Sequence, residues 1–96
     1  MSQSEEEDFM AELKREFQET IKNNLRDFPK MMAEGRYEDI ARIAHDIKGN
    51  AALFELARGS EIAARLQQAA QKRDEAQTAS LIGELGACMK EAGIAD

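Results

Sequence analysis

The chain holds one histidine, His45, in the stretch AHDIKGN, with Lys48 three residues on and Gly49 four residues on. An unprotonated imidazole nitrogen carries a lone pair at pH 7 and can take up a phosphoryl group as a nucleophile. Lys48, one helical turn away, can neutralise phosphate oxygens as a point charge. Other chemistries fit poorly. A zinc or di-iron centre needs three or four ligands, and there is no second histidine and only one cysteine, Cys88. We therefore expect no metal site. An enzyme with its own active site would need a nucleophile, a base and an orienting group, and no such constellation is present.

For this chemistry the histidine must stand on an exposed helix face. With Ile40 at zero and steps of about 100° per residue, Ile40, Ile43, Ala44, Ile47, Ala51 and Phe54 cluster around one direction and read as the core side. His45 falls near about 140° and Lys48 near about 80° on the same wheel. Gly49 lies at about 180°, Ala52 at about 120° and Ala41 at about 100°, so small side chains surround the imidazole. A glycine inside a helix costs about 1 kcal/mol relative to alanine. Its missing Cβ, one turn from the ring, leaves room for a partner's backbone. Tight packing between helices is the alternative reason.

The elements that position this stretch read as helices. Alanine, leucine, glutamate, lysine, arginine, glutamine and methionine dominate, valine and tryptophan are absent, and the only threonines are Thr20 and Thr78. From Met10 onward, Met10, Leu13, Phe17, Ile21, Leu25, Phe28, Met31 and Met32 form one amphipathic stripe. This predicts a first helix over about 6–34, bent near Pro29 and ended by Gly35. A second helix runs from Tyr37 to the mid-fifties. A third is predicted from Ser60 as N-cap, with Ile62, Leu66, Ala69 and Ala70 on one face. A fourth begins at Asp74, with Gln77 in capping-box spacing, and carries Thr78, Leu81, Ile82, Leu85, Cys88 and Met89. Cys88 reads as a small core residue.

A chain of 96 residues supports one modest core. The predicted architecture is all-α: an up-down antiparallel four-helix bundle, one domain over 1–96 with an ordered core of about 6–93, and His45 exposed on the second long helix. Met1 to about Ser4 and about Ile94 to Asp96 are expected to fray. The initial Met and polar ends lead us to expect a stand-alone chain. A net charge of −6 argues against nucleic acid or an anionic membrane as main partner. No apolar run spans a bilayer, and the start MSQSEEED resembles no signal or transit peptide, so the expected location is the cytoplasm.

The segment IARIAHDIKGNAALFEL resembles the histidine-containing phosphotransfer domains of two-component phosphorelay signalling, marked by a histidine followed by x-x-Lys-Gly on an exposed helix of a four-helix bundle. Upstream AEGRYEDIARIAH and downstream GSEIAARLQQAA extend the resemblance over about residues 9–90. It implies His45 as phosphoacceptor, Lys48 as phosphate-stabilising cation and Gly49 as clearance residue. Ala41 and Ala52 would border the docked receiver. Gln67 stands where some members carry a glutamine near the imidazole, though it also reads as a solvated surface amide. Asn50 replaces a common serine, and Arg36 an acidic residue after the turn glycine.

The function so implied is that of a phosphotransfer intermediate, not an independent enzyme. It would take a phosphoryl group from a receiver aspartyl phosphate, or from a sensor or hybrid histidine kinase, and relay it to a response-regulator aspartate. No cofactor is expected in this chain, and magnesium would belong to the partner receiver. The rivals are a non-catalytic helical interaction module and a degenerate domain that inhibits a kinase.

Overall fold

Four helices follow one another, α1 (Gln3–Ala33), α2 (Tyr37–Leu53), α3 (Ala57–Gln71) and α4 (Glu75–Glu91). The computed structural model describes residues 3–95, and no strand occurs among them. Each helix packs on its neighbours in sequence and α4 packs back on α1, while among the described residues the backbones of the diagonal pairs, α1 with α3 and α2 with α4, stay apart. That ring of contacts is the up-down antiparallel bundle expected from four amphipathic stripes joined by short turns.

The core joins Phe17, Ile21 and Phe28 of α1 to Ile40, Ala44 and Ile47 of α2, Ile62 and Leu66 of α3, and Leu81, Leu85 and Met89 of α4. Ile43, Phe54 and Cys88 are only partly buried against it. Phe54 stacks on Phe17 with ring centroids 5.4 Å apart, holding the end of α2 against α1. α1 runs unbroken through Pro29, whose ring is exposed between the buried Phe28 and Met31. The proline's missing N–H therefore interrupts the helix ladder without breaking the apolar stripe.

α1 is nearly twice as long as its partners. Its 31 residues correspond to about 46 Å of helix, and the longest extent of the molecule is 47 Å. The other three helices have 15 to 17 residues and cover only the C-terminal half of α1. Accordingly Met10, at the start of the expected core stripe, is 39% exposed and Phe9 is 62% exposed. The helical register of Met10 is right, but among the described residues no helix lies opposite it.

All four helices end in the same turn. In each, the N–H of the third residue past the helix reaches the carbonyl five residues back (Arg36 to Met31, Leu56 to Ala51, Asp74 to Ala69, Ile94 to Met89), at 2.8 to 3.1 Å. The residue before it adopts positive φ: Gly35 at 69°, Glu55 at 60°, Arg73 at 54° and Gly93 at 74°. Glycine takes this conformation freely, whereas other residues meet a steric cost of roughly 1–2 kcal/mol. The last turn also corrects the expected fraying: Ile94 is 1% exposed, folded back beside Met89. Of the other residues expected to fray, Gln3 and Ser4 already belong to α1, and Met1, Ser2 and Asp96 lie outside the described residues.

Helix starts differ in kind. Asp74 caps α4 as expected, its carboxylate accepting the Gln77 N–H at 3.0 Å. α3, in contrast, begins at Ala57 and not at Ser60, with Leu56 at its N-cap position and no side-chain cap. Ser60 is instead inside the helix, where its hydroxyl donates to the Lys48 carbonyl at 3.0 Å. The serine predicted to start a helix ties α3 to α2.

Candidate functional site

His45 lies on α2 and is exposed, as are Lys48, Gly49 and Ala52. The local cause is the sequence: Ala44 and Ile47, which flank it, are buried and fix the rotation of the helix. α2 and α3 form the most closely packed pair in the bundle, and the Ser60 to Lys48 hydrogen bond joins them one turn below the histidine.

Beside His45 an open groove of about 520 Å³ runs between α2 and α3 toward the start of α2. Tyr37, Glu38, Ala41 and Arg42 line it from α2, together with His45. Gln67, Ala70 and Gln71 line it from α3, and Arg73 closes its end from the α3–α4 turn. Of the residues singled out in the sequence, the structure brings His45, Ala41 and Gln67 to this one groove. Lys48, Gly49 and Ala52 stand outside it, further along α2. Ala41 differs from the wheel's outward placement, being 8% exposed, because the closely packed α3 covers that side of α2 and makes it the groove's floor. Gln67 is half-buried in the opposite wall.

Beyond the adjoining backbone of α2, a Cβ at Gly49 would meet no atom of the described residues within 4 Å. Close packing inside this chain therefore does not call for the glycine. The crowded glycine is Gly59, whose Cβ would come within 2.9 Å of the Met89 methyl.

The groove carries charges that sequence reasoning missed. Arg42 precedes His45 by three residues, one turn on the same side of α2, and that spacing is a signal the sequence does hold. Its guanidinium donates to Asp39 at 3.1 Å. Asp39 also accepts from Arg36 at 2.8 Å, and this hydrogen bond foremost holds the Asp39 carboxyl below its ordinary value and raises the Arg36 guanidinium. Arg36, at the N-cap position of α2, makes no side-chain cap and serves instead as this ion-pair partner. Arg73 lies over the Tyr37 ring, 5.7 Å from its centroid, with Glu38 at 3.9 Å. Nothing local in the sequence places Arg73 in the groove beside His45; only the pairing of α2 with α3 does.

Among the described residues no three His, Cys, Asp or Glu side chains are grouped to hold a metal ion. No described helix is long and apolar enough to cross a membrane. The arrangement provides an accessible nucleophilic nitrogen with an ammonium one turn along its helix and guanidinium groups along the adjoining groove. Compared with known families, residues 7–93 match the model described as Hpt domain. No curated protein and no solved structure matches the chain.

Proposed function

Because the chain belongs to the Hpt domain family, whose members carry out histidine phosphotransfer in phosphorelays, we propose that His45 is the phosphoacceptor and that the protein relays phosphoryl groups between receiver domains. A ring nitrogen of His45 attacks the phosphorus of a receiver's aspartyl phosphate. The N–P bond forms as the P–O bond to the aspartate breaks, and the carboxylate leaves with the bonding pair. Attack by a second receiver's aspartate reverses the step and regenerates the imidazole. A kinase domain can replace the first donor by the same displacement.

The observation that carries this reading is the exposure of the chain's one histidine on α2 of the bundle, beside an open groove. Lys48 supplies a charge for the phosphate oxygens, and open space at Gly49 admits the partner's backbone near the ring. Magnesium is held by the receiver's carboxylates, outside this chain. The carrier works in the cytoplasm, with receivers and kinases as its partners.

The test is incubation of the wild type and His45→Gln with receiver domains charged by acetyl phosphate. The wild type is expected to gain one acid-labile, base-stable phosphate and the variant none. Because the ring is exposed, the variant's stability should change by no more than about 0.5 kcal/mol. A variant that is still labelled, or a wild type that binds receivers and gains no phosphate, refutes the assignment; the second result is the behaviour of a non-catalytic interaction module.

A further inference from the structure

Arg73 occupies a position that its own conformation disfavours. At the equivalent point of the turns after α1 and α4 the chain has Gly35 and Gly93, and after α3 it has an arginine at φ 54°. Glu55 is the other non-glycine of the four and does not line the groove, whereas Arg73 does. A long cationic side chain is thus held in left-handed backbone at the edge of the groove, where strain of this kind persists when the surroundings or a role of the side chain outweigh it.

Its surroundings narrow the function. Tyr37 and Arg73 stack at the beginning of α2, and His45 follows Tyr37 by eight residues, about 12 Å of helix rise. Arg73 thus stands well away from the phosphorylated atom yet inside the footprint of a protein docked over it, which covers about 800 Å² per partner. Its contact with Glu38 is long, at 3.9 Å, and Glu38 is 93% exposed. Such a loose pair leaves the guanidinium free to exchange partners. The chain as a whole carries −6, whereas the groove is lined by Arg42 and Arg73 against the single carboxylate of Glu38, with Arg42 itself paired to Asp39.

We infer that Arg73 is a docking residue for the carboxylate-rich rim of the receiver, the acidic surface that surrounds a magnesium-bound aspartate. The inference rests on the phosphorelay reading of His45. Arg73 fixes the partner's orientation over the groove and does not touch the phosphoryl group. The Tyr37 ring holds the guanidinium in place before the receiver arrives.

The experiment compares wild type with Arg73→Gly and Arg73→Asn, both of which accept positive φ without the charge. Binding is titrated against the receiver that labels the wild type fastest, loaded with magnesium and beryllofluoride, at low salt and at 1 M salt. Phosphohistidine lifetime and melting temperature are measured on the same variants. Expected are about tenfold weaker binding at low salt, a difference that collapses at 1 M where screening acts within about 3 Å, an unchanged phosphohistidine lifetime and a melting temperature equal to or above that of the wild type. Unchanged binding at low salt overturns the inference, as does a loss of binding that accompanies a lowered melting temperature, which is the mark of a structural clamp on Tyr37. A shortened phosphohistidine lifetime with normal binding also overturns it, because Arg73 would then act on the phosphoryl group. A wild type that takes up no phosphate and binds no receiver brings down both this inference and the reading of His45. A labelled wild type with unaffected variants brings down this inference alone.

Discussion

Replacing Gly49 with alanine should stabilise the protein, and the same change at Gly59 should not. Gly49 lies within α2, is exposed, and has empty space where a Cβ would go. The substitution adds only helix propensity, about 1 kcal/mol. For a domain of this size that corresponds to a rise of about 4–8 °C in melting temperature. At Gly59 the added Cβ would stand 2.9 Å from the Met89 methyl. The methyl is the free end of a flexible side chain, but Met89 is fully buried, so it must move within a filled core. Overpacking of that kind costs about 1–3 kcal/mol and cancels or exceeds the propensity gain. Thermal melts by circular dichroism of Gly49→Ala, Gly59→Ala and wild type give the comparison directly. Equal stabilisation at both glycines, or a Gly49→Ala protein that melts at or below the wild type, refutes the reasoning. The functional half uses Gly49→Gln, which should fold and yet take up phosphate from a charged receiver much more slowly. Wild-type uptake by that variant would remove the clearance role from Gly49.

Lys48→Ala should slow transfer or shorten the phosphohistidine lifetime without abolishing labelling, since an exposed ammonium acts only as a screened charge; equal rates at low salt would exclude it from the site. Thr78 is fully buried and its hydroxyl has no hydrogen-bond partner among the described residues, so Thr78→Val should raise stability by about 1 kcal/mol in urea unfolding, and a loss would mean the hydroxyl is satisfied in solution. The Arg36 hydrogen bond lowers the folded-state carboxyl value of Asp39, so its contribution to stability is full above the ordinary carboxylate value of about 3.9 and disappears as pH falls through the depressed one. The stability gap between wild type and Asp39→Asn should therefore hold between pH 7 and pH 5 and close in stronger acid; a gap independent of pH would show that the pair is not its source.

Helical periodicity made the four stripes, the exposed side of α2 and the family resemblance legible because each depends on residues within one or two turns of each other. What it left open depends on which helix lies opposite. Met10 has the right phase for the core and is exposed, since α2, α3 and α4 stop short of it. Ala41 points toward solvent on an isolated wheel and is buried, since α3 crosses that side of α2. Ser60 has the chemistry of an N-cap, but its hydroxyl finds the Lys48 carbonyl on the neighbouring helix.

The helix ends show why composition reveals only part of a turn. Gly35 announces the end of α1 because glycine is the residue for which left-handed backbone has no steric cost. Glu55 and Arg73 adopt the same conformation without that signal, held by the same pair of backbone hydrogen bonds. Those bonds involve only N–H and carbonyl groups, so the turn accepts any side chain whose strain the surrounding packing can outweigh. A search for helix ends by glycine finds the turns after α1 and α4 and passes over the other two. One of the two it passes over is the turn that places a guanidinium at the end of the His45 groove. The turn residues without a glycine signal are therefore where side-chain function is to be sought, because there the backbone alone does not explain the choice of residue.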